Sequence, residues 1–148
     1  MKESILIIDF GSQVTKLIAR RVREIGVFSK ILPFNKIKKK IIIQENVKGI
    51  IFSGGPKSVN EKNSPKISSF VYNMDVPILG ICYGLQLITK SFGGIVSPSD
   101  EREFGKTNLF LKNYSPLIHG VISPKKKHQV WMSHADKVKE IPKGFETI

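Results

Sequence analysis

The chain holds a single cysteine, Cys82, set between two glycines in the run Gly80-Ile81-Cys82-Tyr83-Gly84. Sulfur is a strong nucleophile as thiolate, so a lone cysteine in such a frame raises covalent chemistry as its first use. A short apolar run over residues 76–81 leads into it, and a helical pattern leaves it. Strand, sharp turn and helix with glycines two residues before and after the nucleophile is the pattern of a nucleophile elbow. At the apex the side chain is held clear of the sheet. Its sulfur lies near the start of the following helix, whose unpaired N–H groups and dipole favour negative charge. The competing interpretation is a small buried hydrophobe, since free cysteine is among the most buried residue types. A second stretch with chemical potential is Ser53-Gly54-Gly55-Pro56, a loop with no side chain at two positions to keep a ligand from the backbone amides.

These residues need a scaffold, and the hydrophobic pattern supplies one. Residues 4–10, 28–34, 47–52 and 76–81 are short, nearly continuous apolar runs, as expected of strands buried on both faces of a parallel sheet. Between the first two, Ser12 is placed to cap a helix whose Val14, Leu17, Ile18, Val22 and Ile25 recur at helical spacing, and Gly26 is placed to end it. Asn35 opens a short basic helix through about residue 43, and Ser64-Pro65 opens another carrying Ile67, Phe70 and Val71. The alternation predicts an α/β fold with a mostly parallel central sheet flanked by helices, joined by right-handed crossovers. Ligands bind such sheets at the carboxyl ends of the strands. The turn after Asp9, the Gly54-Gly55 loop and Cys82 all fall at that edge. After Gly93-Gly94, about residue 94, runs such as 108–111 and 128–132 alternate over shorter stretches and predict smaller antiparallel strands.

Composition narrows the function classes. The 148 residues, 41% hydrophobic and 24% charged, suit one soluble domain spanning 1–148. The apolar start is broken at Asp9, too early for a signal-peptide core or a membrane span, and one cysteine permits no intrachain disulfide. A cytoplasmic setting is therefore expected, in which Asn113-Tyr114-Ser115 is not a glycosylation site. The formal charge of +12 raises nucleic acid as a partner. Its lysines are scattered apart from 36–40 and 125–127, without interleaved aromatics, so a solvated face or an anionic protein partner is the expectation and specific nucleic-acid binding is not. Gly11 stands alone, which excludes a dinucleotide fingerprint, and Gly105-Lys106-Thr107 lacks the first glycine of a phosphate loop because position 100 is Asp100.

Together, Asp9-Phe10-Gly11-Ser12-Gln13, Ser53-Gly54-Gly55-Pro56, Gly80-Ile81-Cys82-Tyr83-Gly84-Leu85-Gln86, Arg102-Glu103-Phe104-Gly105 and Val130-Trp131-Met132-Ser133-His134-Ala135-Asp136 resemble the class I glutamine amidotransferase domain of GMP synthases. The resemblance runs the length of the chain. It implies the class I glutamine amidotransferase fold and hydrolysis of glutamine through a thioester on Cys82, with ammonia released for ATP-dependent amination of XMP to GMP. It further implies oxyanion donors at the backbone N–H of Gly55 and of Tyr83, with Gly54 shaping that loop. Gln86, one helical turn beyond Cys82, would bond the substrate. Ser133 and Asp136 would hold the α-amino and carboxylate groups of glutamine.

The same family completes its triad with a His-Pro-Glu motif. Here His119, His128 and His134 are followed by Gly, Gln and Ala, and only His134 lies in a family motif, where it is not the base. The expectation is a domain incomplete at its C-terminus and nearly inactive alone. No cofactor is expected in this segment. ATP and magnesium are expected in a synthetase region, an ATP-pyrophosphatase in the same chain or a separate subunit, and the full protein is expected to be a homodimer. The alternatives are a non-catalytic docking subunit for a synthetase partner, or the glutaminase of another amidotransferase making CTP, anthranilate or carbamoyl phosphate.

Overall fold

A computed structural model describes residues 2–124 and 126–148, without the side chains of residues 100–104. Arg102, Glu103 and Phe104 of the family-like run, and Lys125 of the basic run, therefore lie outside the residues whose side chains are described.

The chain begins with β1 (Ser4–Asp9), whose Leu6, Ile7 and Ile8 are fully buried. There follow α1 (Thr15–Glu24), β2 (Phe28–Pro33), α2 (Lys39–Gln44), β3 (Val47–Phe52), β4 (Ile78–Gly80) and α3 (Tyr83–Ser91). The four strands form one parallel sheet in the order β2-β1-β3-β4. The chain runs outward from β1 to β2 and then crosses back to β3, so the carboxyl ends of β1 and β3 flank a topological switch point. Above that point the core is aromatic. Phe10 packs against Phe52 and Tyr83 with ring centroids 5.6 and 5.3 Å apart, and Leu6, Ile8, Ile50 and Leu87 fill in below.

Five local expectations change. Ser12 closes a turn and does not cap α1: its Oγ accepts from the Val14 N–H at 3.2 Å, and the helix starts at Thr15 without a side-chain cap. The Asp9 carboxylate explains the delay, because one of its oxygens accepts from both the Gly11 N–H and the Thr15 hydroxyl at 2.9 Å. On α1 the buried residues are the small Thr15 and Ala19, while Val14, Leu17 and Ile25 are exposed. The basic helix is shorter than expected, since Asn35 sits in a 3-10 turn and extended backbone at Ile37 separates it from α2.

Residues 64–68 are not helical, and only Ser69–Val71 forms a 3-10 turn. The Pro65 carbonyl is taken from outside by the Tyr83 hydroxyl, and the Ser64 hydroxyl, expected to cap the helix, donates instead to the Val59 carbonyl. The antiparallel strands, in contrast, are longer than predicted. Strand β5 (Ile95–Leu109) pairs with β6 (His128–Glu140) as a separate ribbon with an irregularity between Pro98 and Glu103. A two-stranded ribbon consists only of edge strands, which accommodates Pro98.

Candidate active site

The elbow is built where β3, β4 and α3 converge. Ile81 N–H donates to the Phe52 carbonyl at 2.9 Å, and Gly84 N–H donates to the carbonyl of Ser53 at 3.1 Å. Between them Cys82 has φ 52° and ψ −109°, a left-handed conformation that costs a non-glycine residue about 1–3 kcal/mol. Cys82 is exposed.

The flanking glycines are required by space. A Cβ on Gly84 would lie 2.4 Å from the Phe52 carbonyl oxygen, and one on Gly80 would lie 2.6 Å from the Leu85 nitrogen. At Gly55 a Cβ would meet the Phe10 carbonyl oxygen at 2.8 Å, whereas at Gly54 it would make only ordinary contacts, 3.5 Å from Ser12 Oγ and 3.7 Å from Cys82 Cβ. None of these four glycines has a left-handed φ. Close approach, and not unusual backbone angles, is what selects glycine at 55.

Cys82 opens into a cleft of about 320 Å³. One wall is Gly55, Pro56, Lys57, Ser58 and Glu61 from the loop after β3, and the opposite wall is residues 133–136 of β6, with Gln86 at its base. Polar bonds pin the walls together. Gln86, buried on α3, donates its Nε2 hydrogen to the Asp136 carbonyl at 3.1 Å, and the Ser58 hydroxyl donates to the Asp136 carboxylate. Asn60 Nδ2 donates to the Val96 carbonyl at 2.9 Å, and Lys90 Nζ donates to Asn60 Oδ1 at 2.9 Å.

Of the residues expected from sequence, Cys82, Gly55, Gln86, Ser133 and Asp136 line one cleft. Gly54 lies beside Cys82. Tyr83 turns its ring into the core, where burial raises its phenol above the ordinary value, and its backbone N–H is the first of α3. Strand alternation sets Ser133 on the exposed face of β6 and Asp136 on the half-buried one, so the two approach the cleft differently. His134 also lines the cleft. His128 Nε2 accepts from the Ser123 N–H at 2.9 Å, and the His119 ring packs on Tyr114 with centroids 5.6 Å apart.

Sequence patterns do not single out Ser53, Ser58 or Glu61. Ser58 and Glu61 form a small turn of their own, the Ser58 N–H donating to Glu61 Oε1 at 2.9 Å. The Ser-x-x-Glu spacing is the available signal. Among the described residues no group of three His, Cys, Asp or Glu side chains could hold a metal ion, and no helix is long and apolar enough to cross a membrane.

An exposed thiol beside glycine amides and a helix N-terminus is suited to acyl transfer, with carboxylate and amide groups opposite to bind a polar substrate. Comparison with known proteins agrees in kind. The family model "Glutamine amidotransferase class-I" matches residues 6–148. A glutamine-hydrolysing GMP synthase of Bradyrhizobium sp. is 47% identical over 145 residues, covering 98% of this chain and 27% of that protein. Its counterpart in Clostridium tetani is 50% identical over 147 residues, covering 99% and 28%. The chain thus spans little more than a quarter of the length of these curated relatives. The solved structure of a GMP synthase subunit from Thermoplasma acidophilum superposes with a TM-score of 0.81 at 30% identity over 97% of this chain and 70% of that one.

Proposed function

Because the chain belongs to the class-I glutamine amidotransferase family, we propose that it supplies the nucleophile, oxyanion and substrate-binding parts of a glutaminase that delivers ammonia for amination of XMP to GMP. The observation carrying this is the strained, exposed Cys82 at one end of a cleft whose far wall presents Asp136. The thiolate of Cys82 attacks the side-chain amide carbon of glutamine, and the carbonyl electron pair moves to oxygen. There the N–H groups of Gly55 and Tyr83 meet it, each such donor contributing about 3 kcal/mol to the transition state. Collapse expels ammonia, which takes a proton as it leaves, and water then cleaves the thioester to give glutamate and the free thiol. Asp136 binds the α-ammonium group, with Ser133 and Gln86 completing the polar lining.

The proton transfers need a base. His119 and His128 are engaged away from the cleft, and none of the three histidines sits in a His-Pro-Glu motif, so on this proposal the base is supplied outside these 148 residues. ATP and magnesium act in the synthetase region, and no glutaminase step runs through them. The experiment measures ammonia release by the chain as given and by the chain extended with the downstream glutaminase segment of a relative such as the Clostridium tetani protein. The extended form is expected to hydrolyse glutamine and to lose that activity in Cys82→Ala. Equal turnover by the two forms, or activity surviving Cys82→Ala, would defeat the proposal.

A further inference from the structure

Ser53 is fully buried, and all its polar groups are committed. Its N–H donates to the Ile8 carbonyl at 3.0 Å, and its carbonyl accepts from the Gly84 N–H of the elbow at 3.1 Å. Its Oγ accepts from the Phe10 N–H at 3.2 Å and donates to the Gly54 carbonyl at 2.9 Å. One hydroxyl thereby joins the end of β1 to the loop after β3.

The Gly54 carbonyl belongs to the same peptide group as the Gly55 N–H. No cis peptide occurs among the described residues, and in a trans peptide the C=O and N–H point in opposite directions. Holding the Gly54 oxygen toward a fully buried side chain aims the Gly55 N–H the other way, to the side where Gly55 lines the cleft with Cys82. Glycine at 54 and 55 leaves this peptide free to rotate, since neither residue has a Cβ to oppose it. The space around Gly54 would admit a Cβ, so packing at that position does not fix the plane.

We infer that Ser53 is a positioning residue, whose hydroxyl sets the orientation of the Gly54–Gly55 peptide and so holds the oxyanion donor at Gly55 in its productive direction. The inference rests on the glutaminase proposal above. Ser53 acts only through Gly55 and meets neither glutamine nor the reacting atoms. Its effect is therefore concentrated on species whose former carbonyl oxygen has left the carbonyl plane, as the tetrahedral intermediate or a tetrahedral adduct on Cys82.

The test uses glutamate γ-semialdehyde, whose open-chain aldehyde adds the Cys82 thiol. The sulfur–carbon bond forms, the carbonyl π pair moves to oxygen, and the thiol proton ends on that oxygen as a hemithioacetal with no change of oxidation state. Adduct affinity is measured in the chain itself and in Ser53→Ala, and affinity for glutamine, whose amide oxygen is neutral and planar, serves as the ground-state control. Both proteins meet the same open-chain fraction, so their ratio is independent of it. Ser53→Ala is expected to weaken the aldehyde by about 10- to 100-fold while glutamine binding stays within about twofold, and Ser53→Thr, which keeps the hydroxyl, is expected to recover most of the loss.

Equal aldehyde affinity in folded Ser53→Ala overturns the inference, as does a parallel loss for glutamine. Absence of any Cys82 adduct in the unaltered chain instead defeats the glutaminase proposal. Should Ser53→Ala fail to fold, a crystal structure of the unaltered adduct decides. Gly55 N is expected within hydrogen-bond distance of the adduct oxygen while Ser53 Oγ remains on the Gly54 carbonyl; that contact made with Ser53 Oγ turned away overturns the inference.

Discussion

The two walls of the cleft are held by different physics. The wall formed by β3, its glycine loop and the elbow rests on a packed interior: Phe52, Ser53 and Tyr83 are buried to within 1% of completely, and close contacts at Gly55, Gly80 and Gly84 leave no room for a methyl group. The opposite wall is one strand of a ribbon that sends every second residue of β6 outward, with Trp131 74% exposed. Its attachment near Cys82 is by single polar bonds from Gln86 and Ser58 to Asp136. The side that carries the proposed nucleophile is fixed by exclusion of volume, and the side proposed to recognise the substrate is tied to it by hydrogen bonds that can open singly.

This contrast sets an order of mutational effects. The largest is expected for Gly84→Ala, whose added carbon meets backbone that cannot swing aside, at a cost of about 3 kcal/mol or more in urea unfolding. Trp131→Ala in the ribbon is the matched control; it loses only an exposed contact with Lys106 and should change stability by less than about 1 kcal/mol. Equal losses would erase the distinction between the walls. Gln86→Ala is expected to cost about 1–2 kcal/mol and to speed amide hydrogen exchange in β6 while leaving β1 and β3 protected. Uniform acceleration across both sheets would show that the ribbon does not open by itself.

Cys82→Gly is expected to stabilise the fold by about 1 kcal/mol relative to Cys82→Ala, because glycine relieves the left-handed strain. No difference between the two in thermal unfolding would remove strain from the account of the elbow.

The smallest effect concerns alkaline pH. Burial raises the Tyr83 phenol, and its hydroxyl donates to the Pro65 carbonyl, so the folded state retains a proton that the unfolded chain loses near pH 10. Its contribution is therefore complete below that value and declines as pH rises toward the folded-state pKa. Tyr83→Phe should show a flatter fall in urea midpoint above about pH 9; an identical slope would place the linkage elsewhere, for instance at Tyr72, which burial also raises.

How legible the site is in sequence follows the same division. The four parallel strands and Cys82 can be read because apolar runs and a Gly-x-Cys-x-Gly turn are local patterns, and β3 matches its expected bounds, residues 47–52. The failure of the helix expected after Ser64-Pro65 cannot be foreseen locally, since what takes the Pro65 carbonyl is Tyr83, 18 residues later. The length of β5 and β6 is equally hidden: Pro98 and Gly105 mimic strand ends, although a ribbon made only of edges admits both. In the sequence Ser53 is only the residue before two glycines. Its bond to Phe10 spans 43 residues and has no trace in local sequence.

The Ser58–Asp136 bond closes a separation of 78 residues, against 43 for the Phe10–Ser53 bond, while β5 and β6 can pair with each other as a hairpin. Loop-closure entropy grows with such separations, by about 0.6 kcal/mol per doubling. Residues 1–91, which carry the parallel sheet and the elbow, are synthesised before β6, so the strained turn around Cys82 precedes the strand that faces it. Synthesis from the N-terminus thus offers the elbow before the wall that faces it, and a nascent chain stalled in this interval would carry an exposed thiol with no opposite wall.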